Sequence, residues 1–315
     1  MNLTIVMYHY VRPIESGRYP GIKGLELDLF KEQLDFLQSR FHFVSCEDIR
    51  HAVYRGKALP DRAMLLTFDD GYEDHYQHVF PQLKKRGIPG FFSMPGRILA
   101  ERKLLDVNKV HFVLASASAA DIVEYLRARF GELHDRALPS FDSLYAQLAV
   151  ANRFDTAETI FVKRVLQNAI PEEVRNMLSD ELFQKYVKLS ESSFVNELYM
   201  TIDQVETMVA DGMEFGIHGY DHKWLGELPD DEMESDLDRA VEVFRSVLPR
   251  EWCMCFPYGS SSPRAVAKSR LLGATLGFST EVACARVGQS DPMLLPRLDT
   301  NDFPPKSSRF EGYVK

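Results

Sequence analysis

Short apolar runs recur at both ends of this chain, each followed by an amphipathic stretch of helical period. That alternation confines the chain to an α/β fold on a parallel sheet. In the first hundred residues the runs are Leu3 to Tyr8, Phe41 to Val44, Met64 to Phe68 and Gly90 to Met94. Between them Asp28 is placed to cap a helix with Phe30, Leu34 and Leu37 on one face, and Ser45 with Asp48 resembles a capping box. Gly87 is placed to stop a helix that runs to Lys85. The rhythm returns with a helix from Asp203 to Ala210 and a strand from Met213 to Ile217. Met233, Leu237, Val241 and Phe244 form a helical stripe, and Trp252 to Phe256 forms a strand. Ser262, Pro263 and Gly273 bracket another helix, before strands at Leu276 to Phe278 and Met293 to Leu298. Seven or so strands on this spacing suggest a barrel more than an open sheet.

The middle of the chain breaks the rhythm. Ile122, Leu126 and Phe130 make one helical stripe, Asp155 is placed to cap another with Ala157, Phe161 and Val165, and Pro171 starts a third. The pattern predicts a helical subdomain over residues 101–194. It would be inserted between two parts of one α/β domain, 1–100 and 195–315.

Composition narrows the function. With 46 acidic against 37 basic residues the formal charge is −9, which argues against a nucleic-acid partner. No run of about 18 apolar residues predicts an integral membrane segment. The first residues lack the basic, apolar and small regions of a secretory signal, so the expectation is a cytoplasmic protein with reduced thiols. Cys253 and Cys255 alternate on one strand. They are either two small apolar residues of a buried strand or a metal or redox pair. No sequence feature sets an oligomeric state.

Three segments can carry chemistry, each at the C-terminal end of a predicted strand, where α/β folds place their sites. In Thr67-Phe68-Asp69-Asp70-Gly71 a strand runs into two adjacent carboxylates. Neighbouring strand residues point opposite ways, so the two acids can serve a metal and a water separately, or simply close a polar turn. In His218-Gly219-Tyr220-Asp221-His222, two histidines four apart suit one ion on a helical turn. Nine histidines in 315 residues produce such a spacing by chance in roughly one chain of four, so its weight comes from its place at a strand end. A second pair, His75 and His78, reads as the exposed face of the next helix. The third segment, Phe256-Pro257-Tyr258-Gly259, is a rigid turn that can offer backbone N–H groups and an aromatic wall.

The ordered set Thr67–Gly71, His218–His222 and Pro257–Gly259 resembles the polysaccharide deacetylases, the family of the NodB homology domain. The resemblance covers residues 1–100 and about 195–300. It implies a distorted (β/α)7-type barrel and hydrolysis of an N-acyl group on an amino sugar. It implies that Asp70, His218 and His222 bind one divalent metal ion, that Asp69 is the general base, and that the Tyr258 N–H helps hold the oxyanion. One carboxylate and two imidazoles suit Zn²⁺ best, with Co²⁺, Ni²⁺ or Fe²⁺ as alternatives.

The chain also departs from the family pattern. No histidine follows His222, so the usual late acid is absent, and His9 in Met7-Tyr8-His9 is the expected replacement. Cys255 and Phe256 stand where an arginine usually orients the catalytic aspartate. Arg297 can replace it, or form a structural ion pair, and Asp299 can orient His9. Tyr220, Trp224 and Tyr258 can stack on sugar rings, and Pro257 shapes the pocket beside them. Gly219 and Asp221 resemble the version in enzymes that deformylate a formamido sugar, which leaves formyl open beside acetyl. The expected substrate is an amino sugar of a glycan or glycan precursor, in surface polysaccharide or lipopolysaccharide assembly. A small non-sugar amide and a non-catalytic carbohydrate-binding role are the alternatives.

Overall fold

The computed structural model describes residues 1–133 and 138–314. The chain forms two compact units, one of residues 1–13, 24–102 and 196–315 and one of residues 14–23 and 103–195. The second unit therefore takes in a piece of the N-terminal region as well as the helical middle.

The first unit is built on β1 (Asn2–Tyr8), β2 (Ala63–Phe68), β3 (Gly90–Met94), β4 (Glu214–Ile217), β5 (Trp252–Cys255), β6 (Ala274–Phe278) and β7 (Leu298–Asp299). The first six pair in parallel in this order. β7 pairs with β1, and Leu295 just before it bridges to Phe278 at the end of β6. The sheet thus curls until its two ends share one segment, which gives a distorted (β/α) barrel. Both faces are covered, so the strands read as near-continuous apolar runs. Leu3, Ile5, Ala63, Leu65, Phe91, Cys253, Cys255, Leu276 and Phe278 pack together as the inner core. Residues of the opposite parity pack elsewhere: Phe68 stacks on Phe92 at 4.9 Å, and Phe92 on Phe215 at 5.5 Å.

Register sets the level of the strand ends. Tyr8 pairs with Phe68, Phe68 with Phe92, Met94 with Ile217, Ile217 with Met254 and Cys255 with Phe278. Parallel pairing puts these carboxyl ends on one rim. The ladder continues past them: the N–H groups of Asp69, His218 and Phe256 donate to the carbonyls of Tyr8 (3.0 Å), Met94 (3.3 Å) and Phe278 (3.3 Å).

Several local expectations change. The helix Leu27–Gln38 is capped by Glu26, whose Oε1 accepts from the Leu27 N–H at 3.1 Å. Leu25–Glu26 already pairs with Val11–Arg12, so the helix begins straight after that ladder and Asp28 falls in its first turn. The Ser45–Asp48 capping box is present. Of Met293 to Leu298, only Leu295 and Leu298 pair with a strand, because a turn precedes them. Among the described residues no helix is long and apolar enough to cross a membrane.

In the second unit, Ile122, Leu126 and Phe130 form the buried stripe of helix Ala119–Glu132. The Phe130, Phe141 and Phe161 rings meet edge to face at 5.5 and 5.2 Å. Thr156, not Asp155, caps helix Ala157–Arg164, its hydroxyl accepting from the Thr159 N–H. Asp155 is withdrawn into the unit and paired with Lys163 at 2.8 Å and with Lys23. Burial opposes its charge, but the two lysines prevail and its pKa is lowered. A carboxylate with a lowered folded-state pKa stabilises fully above its unfolded value of about 3.9, and the gain fades as pH falls through the folded value. Asp155→Asn is expected to cost on the order of 1 kcal/mol at pH 7, since Lys23 is largely exposed and screened. Thermal melts from pH 7 to pH 3 should show the wild-type advantage shrinking below about pH 4.

Candidate active site

Strand parity delivers the first site residues. Ala63 and Leu65 point into the barrel, and two further steps of two along β2 reach Thr67 and then Asp69. Gly216 also faces inward: a Cβ there would lie 2.2 Å from the Cys253 carbonyl and 2.6 Å from the Phe91 ring. His218 is the next inward position.

Asp69 is buried and ion-paired. Arg297 Nη1 lies 2.8 Å from its Oδ2 and 3.1 Å from its Oδ1. The Ser93 hydroxyl (2.9 Å) and the Cys255 thiol (3.3 Å) also donate to Oδ1. Arg297 is itself held by the Ser279 carbonyl at 2.9 Å and the Thr67 hydroxyl at 3.1 Å. Burial is the largest influence and works against a charged Asp69, but Arg297, His218 and His9 together outweigh it, and the pKa falls to about 2. Asp69 is therefore an anion at neutral pH. Cys253 and Cys255 both pack into the barrel core, where the Cys255 thiol touches Asp69.

Asp70 needs the opposite direction and reaches it through a left-handed backbone, φ 78°. Gly71 follows at φ 68°, where a Cβ would fall 2.4 Å from the Met94 side chain. Asp70 Oδ1 lies 3.3 Å from Nε2 of His218 and 3.3 Å from Nε2 of His222, while Oδ2 accepts from the Tyr72 hydroxyl at 2.6 Å. His218 Nδ1 is 2.8 Å from the Cys255 carbonyl, which can only accept. Nε2 is left facing Asp70; burial opposes charge on this ring, but its contacts with Cys255 and Asp70 together raise its pKa. Burial lowers the pKa of His222 and favours its neutral form. Burial also opposes charge on Asp70, yet its imidazole partners hold that carboxyl well below the ordinary range. A buried carboxylate oxygen that accepts no hydrogen bond, facing two imidazole nitrogens, fits a divalent cation with one oxygen and two nitrogen ligands.

The two histidines do not share a helical turn. His218 extends β4 and His222 ends a loop with left-handed residues at Gly219 (φ 68°) and His222 (φ 54°), which brings their ring centroids to 4.8 Å. Asp236, on helix Asp230–Phe244, accepts from the N–H groups of Tyr220 (2.7 Å) and Asp221 (3.0 Å). From the other side the Gly96 and Arg97 N–H groups donate to the Gly219 and Tyr220 carbonyls, and Arg97 pairs with Asp221 at 3.0 Å.

Tyr258 also has positive φ (57°) and stacks on Trp224 at 4.5 Å, its ring edge-on to His222 at 4.6 Å. Both rings are partly exposed and Pro257 is buried beneath the turn. Tyr220 is not part of this wall: it is buried, with its hydroxyl on Glu101 at 2.7 Å and Arg239 over its ring.

His9 follows β1 at the same rim, half-buried, near enough for its charge to act on Asp69 and Asp70. Asp299 does not orient it. The Asp299 carboxylate caps the turn Thr300–Asp302, accepting from Asn301 N–H at 2.8 Å and Asn301 Nδ2 at 2.7 Å. His75 is fully buried rather than exposed, because the chain winds as a π-helix over His75–Val79. Its Nε2 donates to the His9 carbonyl at 2.9 Å. Sequence reading missed Ser93, Tyr72 and Asp236. Each is an ordinary polar residue whose role depends on which segment packs against it.

Arg297→Met is expected to strand a buried carboxylate and cost about 3–5 kcal/mol. Adding Asp69→Asn should restore part of that stability, since the stranded charge is gone, and chemical denaturation of both variants measures the coupling.

The model of the family "Polysaccharide deacetylase" matches residues 56–277. The poly-beta-1,6-N-acetyl-D-glucosamine N-deacetylase of Escherichia coli (strain K12) is 40% identical over 67 residues, 21% of this chain and 10% of that protein. The match thus spans about a tenth of that relative's length. Among solved structures, Streptococcus pyogenes deacetylase PplD in complex with acetate aligns with TM-score 0.58 and 16% identity, covering 100% of this chain and 99% of that one. IcaB from Ammonifex degensii aligns with TM-score 0.54 and 20% identity, covering 95% and 91%. The fold is theirs, and by the family match over most of its length this chain belongs to the polysaccharide deacetylases.

Proposed function

We propose that this chain is a metal-dependent hydrolase that removes N-acetyl groups from the amino sugars of a glycan. One observation carries the reading. An ionised, arginine-held carboxylate, Asp69, stands beside the possible ligand set of Asp70, His218 and His222 on one barrel rim. The named activity of the Escherichia coli relative supports N-acetylglucosamine as the sugar.

Asp70 Oδ1 and the Nε2 atoms of His218 and His222 are the atoms that would hold the cation. A bound Zn²⁺, or Co²⁺, Ni²⁺ or Fe²⁺ in its place, supplies Lewis acidity toward the attacking water and the acyl oxygen. Asp69 accepts the proton of that water, and Arg297 keeps it ionised and fixed in direction. The backbone N–H of Tyr258 stabilises negative charge on the acyl oxygen. His9 gives a proton to the departing amine, and the Trp224–Tyr258 wall takes the face of a sugar ring.

Acyl release is the direct test. Metal-loaded protein is incubated with β-1,6-linked N-acetylglucosamine oligomers and with N-formyl amino sugars, and acetate and formate are quantified. Acetate release is expected, and Asp69→Asn should lower it by about 10²–10⁴-fold. His9→Ala should lower it over a similar range with metal content unchanged. No release from any sugar by protein with one metal per chain would favour a small non-sugar amide, and failure to bind metal would remove the site proposed here.

A further inference from the structure

Asp70 is the one carboxylate of the ligand set, and its two oxygens stand in different surroundings. Oδ1 faces the two imidazoles and accepts no hydrogen bond. Oδ2 is taken by the Tyr72 hydroxyl at 2.6 Å, a length typical of a strong O–H···O⁻ bond.

The Tyr72 hydroxyl has little freedom to leave. Its ring is fully buried. Tyr10 stacks on one neighbour position at 4.1 Å and 19°, and Tyr199 lies nearly parallel at 6.2 Å and 10°. The backbone is pinned as well: Tyr72 forms an antiparallel bridge with Tyr199, and the Met200 N–H donates to the Gly71 carbonyl at 3.1 Å. The segment 199–200 therefore fixes Tyr72 from a part of the chain that supplies no ligand.

We propose that Tyr72 is a positioning residue for the metal centre, whose hydroxyl occupies Oδ2 of Asp70 and so limits that carboxylate to one ligand oxygen, Oδ1. The inference rests on the reading of Asp70, His218 and His222 as metal ligands. A carboxylate free at both oxygens can chelate and occupy a second coordination position. Confined to Oδ1, Asp70 leaves that position for water or substrate, which catalytic sites require. The hydrogen bond also orients the ligand before the cation arrives. Partners of this kind typically contribute 10–100-fold to metal affinity.

The experiment uses the full chain and its Tyr72→Phe variant, stripped of metal. Zn²⁺ affinity is measured by competition with a chromophoric chelator, and the visible spectrum is recorded with Co²⁺ at saturation. Tyr72→Phe is expected to bind Zn²⁺ about 10–100-fold more weakly. Its Co²⁺ bands should weaken as Asp70 chelates and the coordination number rises. Melting of both metal-free proteins separates this from a packing defect, since the phenyl ring keeps the stack. A variant with wild-type affinity and spectrum would overturn the proposal, whatever its melting temperature. Weak binding with an unchanged spectrum would overturn the one-oxygen assignment. Wild-type protein that takes up no Zn²⁺ or Co²⁺ would overturn the ligand reading itself, an outcome distinct from a Tyr72 effect.

Discussion

Parallel pairing of the barrel strands is the constraint on which the site depends. β1 to β6 run the same way with their ends level, so the residue after each strand reaches one rim. His9, Asp69, His218 and Phe256 come from segments as much as 247 residues apart in sequence, the span from 9 to 256, and meet because four ladders agree in level. Parity then selects which side chains enter the interior. A one-residue slip of β2 would exchange Asp69 for Phe68 and carry the arginine-held carboxylate out of the interior.

The buried Asp69–Arg297 pair follows from that placement. Taking two charges out of water costs several kcal/mol per ion, and an apolar pair of equal volume is often as stable. Stability alone is therefore a poor reason for the pair. Its consequence is chemical: Asp69 stays ionised inside a barrel where burial alone would protonate it. Arg297 reaches it from the segment that closes the ring between β6 and β1, so closure of the barrel and charging of Asp69 use the same stretch of chain.

The strand–helix rhythm was legible because it depends on apolar period and local caps, as at Ser45 and Ser262. The Asp-Asp-Gly and His-x-x-x-His segments were legible because they stand at strand ends. Arg297 was accessible as a substitute for the missing family arginine, and its contact with Asp69 is what the fold adds. What stayed hidden was tertiary. Asp28 and Asp155 have good capping chemistry, but a preceding ladder displaced the first and two lysines claimed the second. His75 has the spacing of an exposed residue on a regular helix, and a π-helical turn buries it. Asp299 is spent on its own turn, which no pattern of charges reveals.

The left-handed residues show how the adjacent acids are separated. An extended chain would send Asp69 and Asp70 to opposite faces of β2, and only one face opens into the barrel. The φ of 78° at Asp70 turns the second acid back toward the rim, and φ values of 54° at His222 and 57° at Tyr258 do the same for the second imidazole and for the aromatic wall. Non-glycine residues in this region each cost about 1–3 kcal/mol and persist only where their surroundings over-determine them. Here the surroundings do so: Gly71 admits the Met94 side chain, Tyr72 holds Asp70, Asp236 and residues 96–97 hold the histidine loop, and Gly259 lies against Thr280. The strain lets two carboxylates one residue apart keep different partners, with the arginine on one and the imidazoles on the other. On the proposed reading, with Asp69 as base and Asp70 as ligand, that division keeps the lone pairs of the base out of the ligand set.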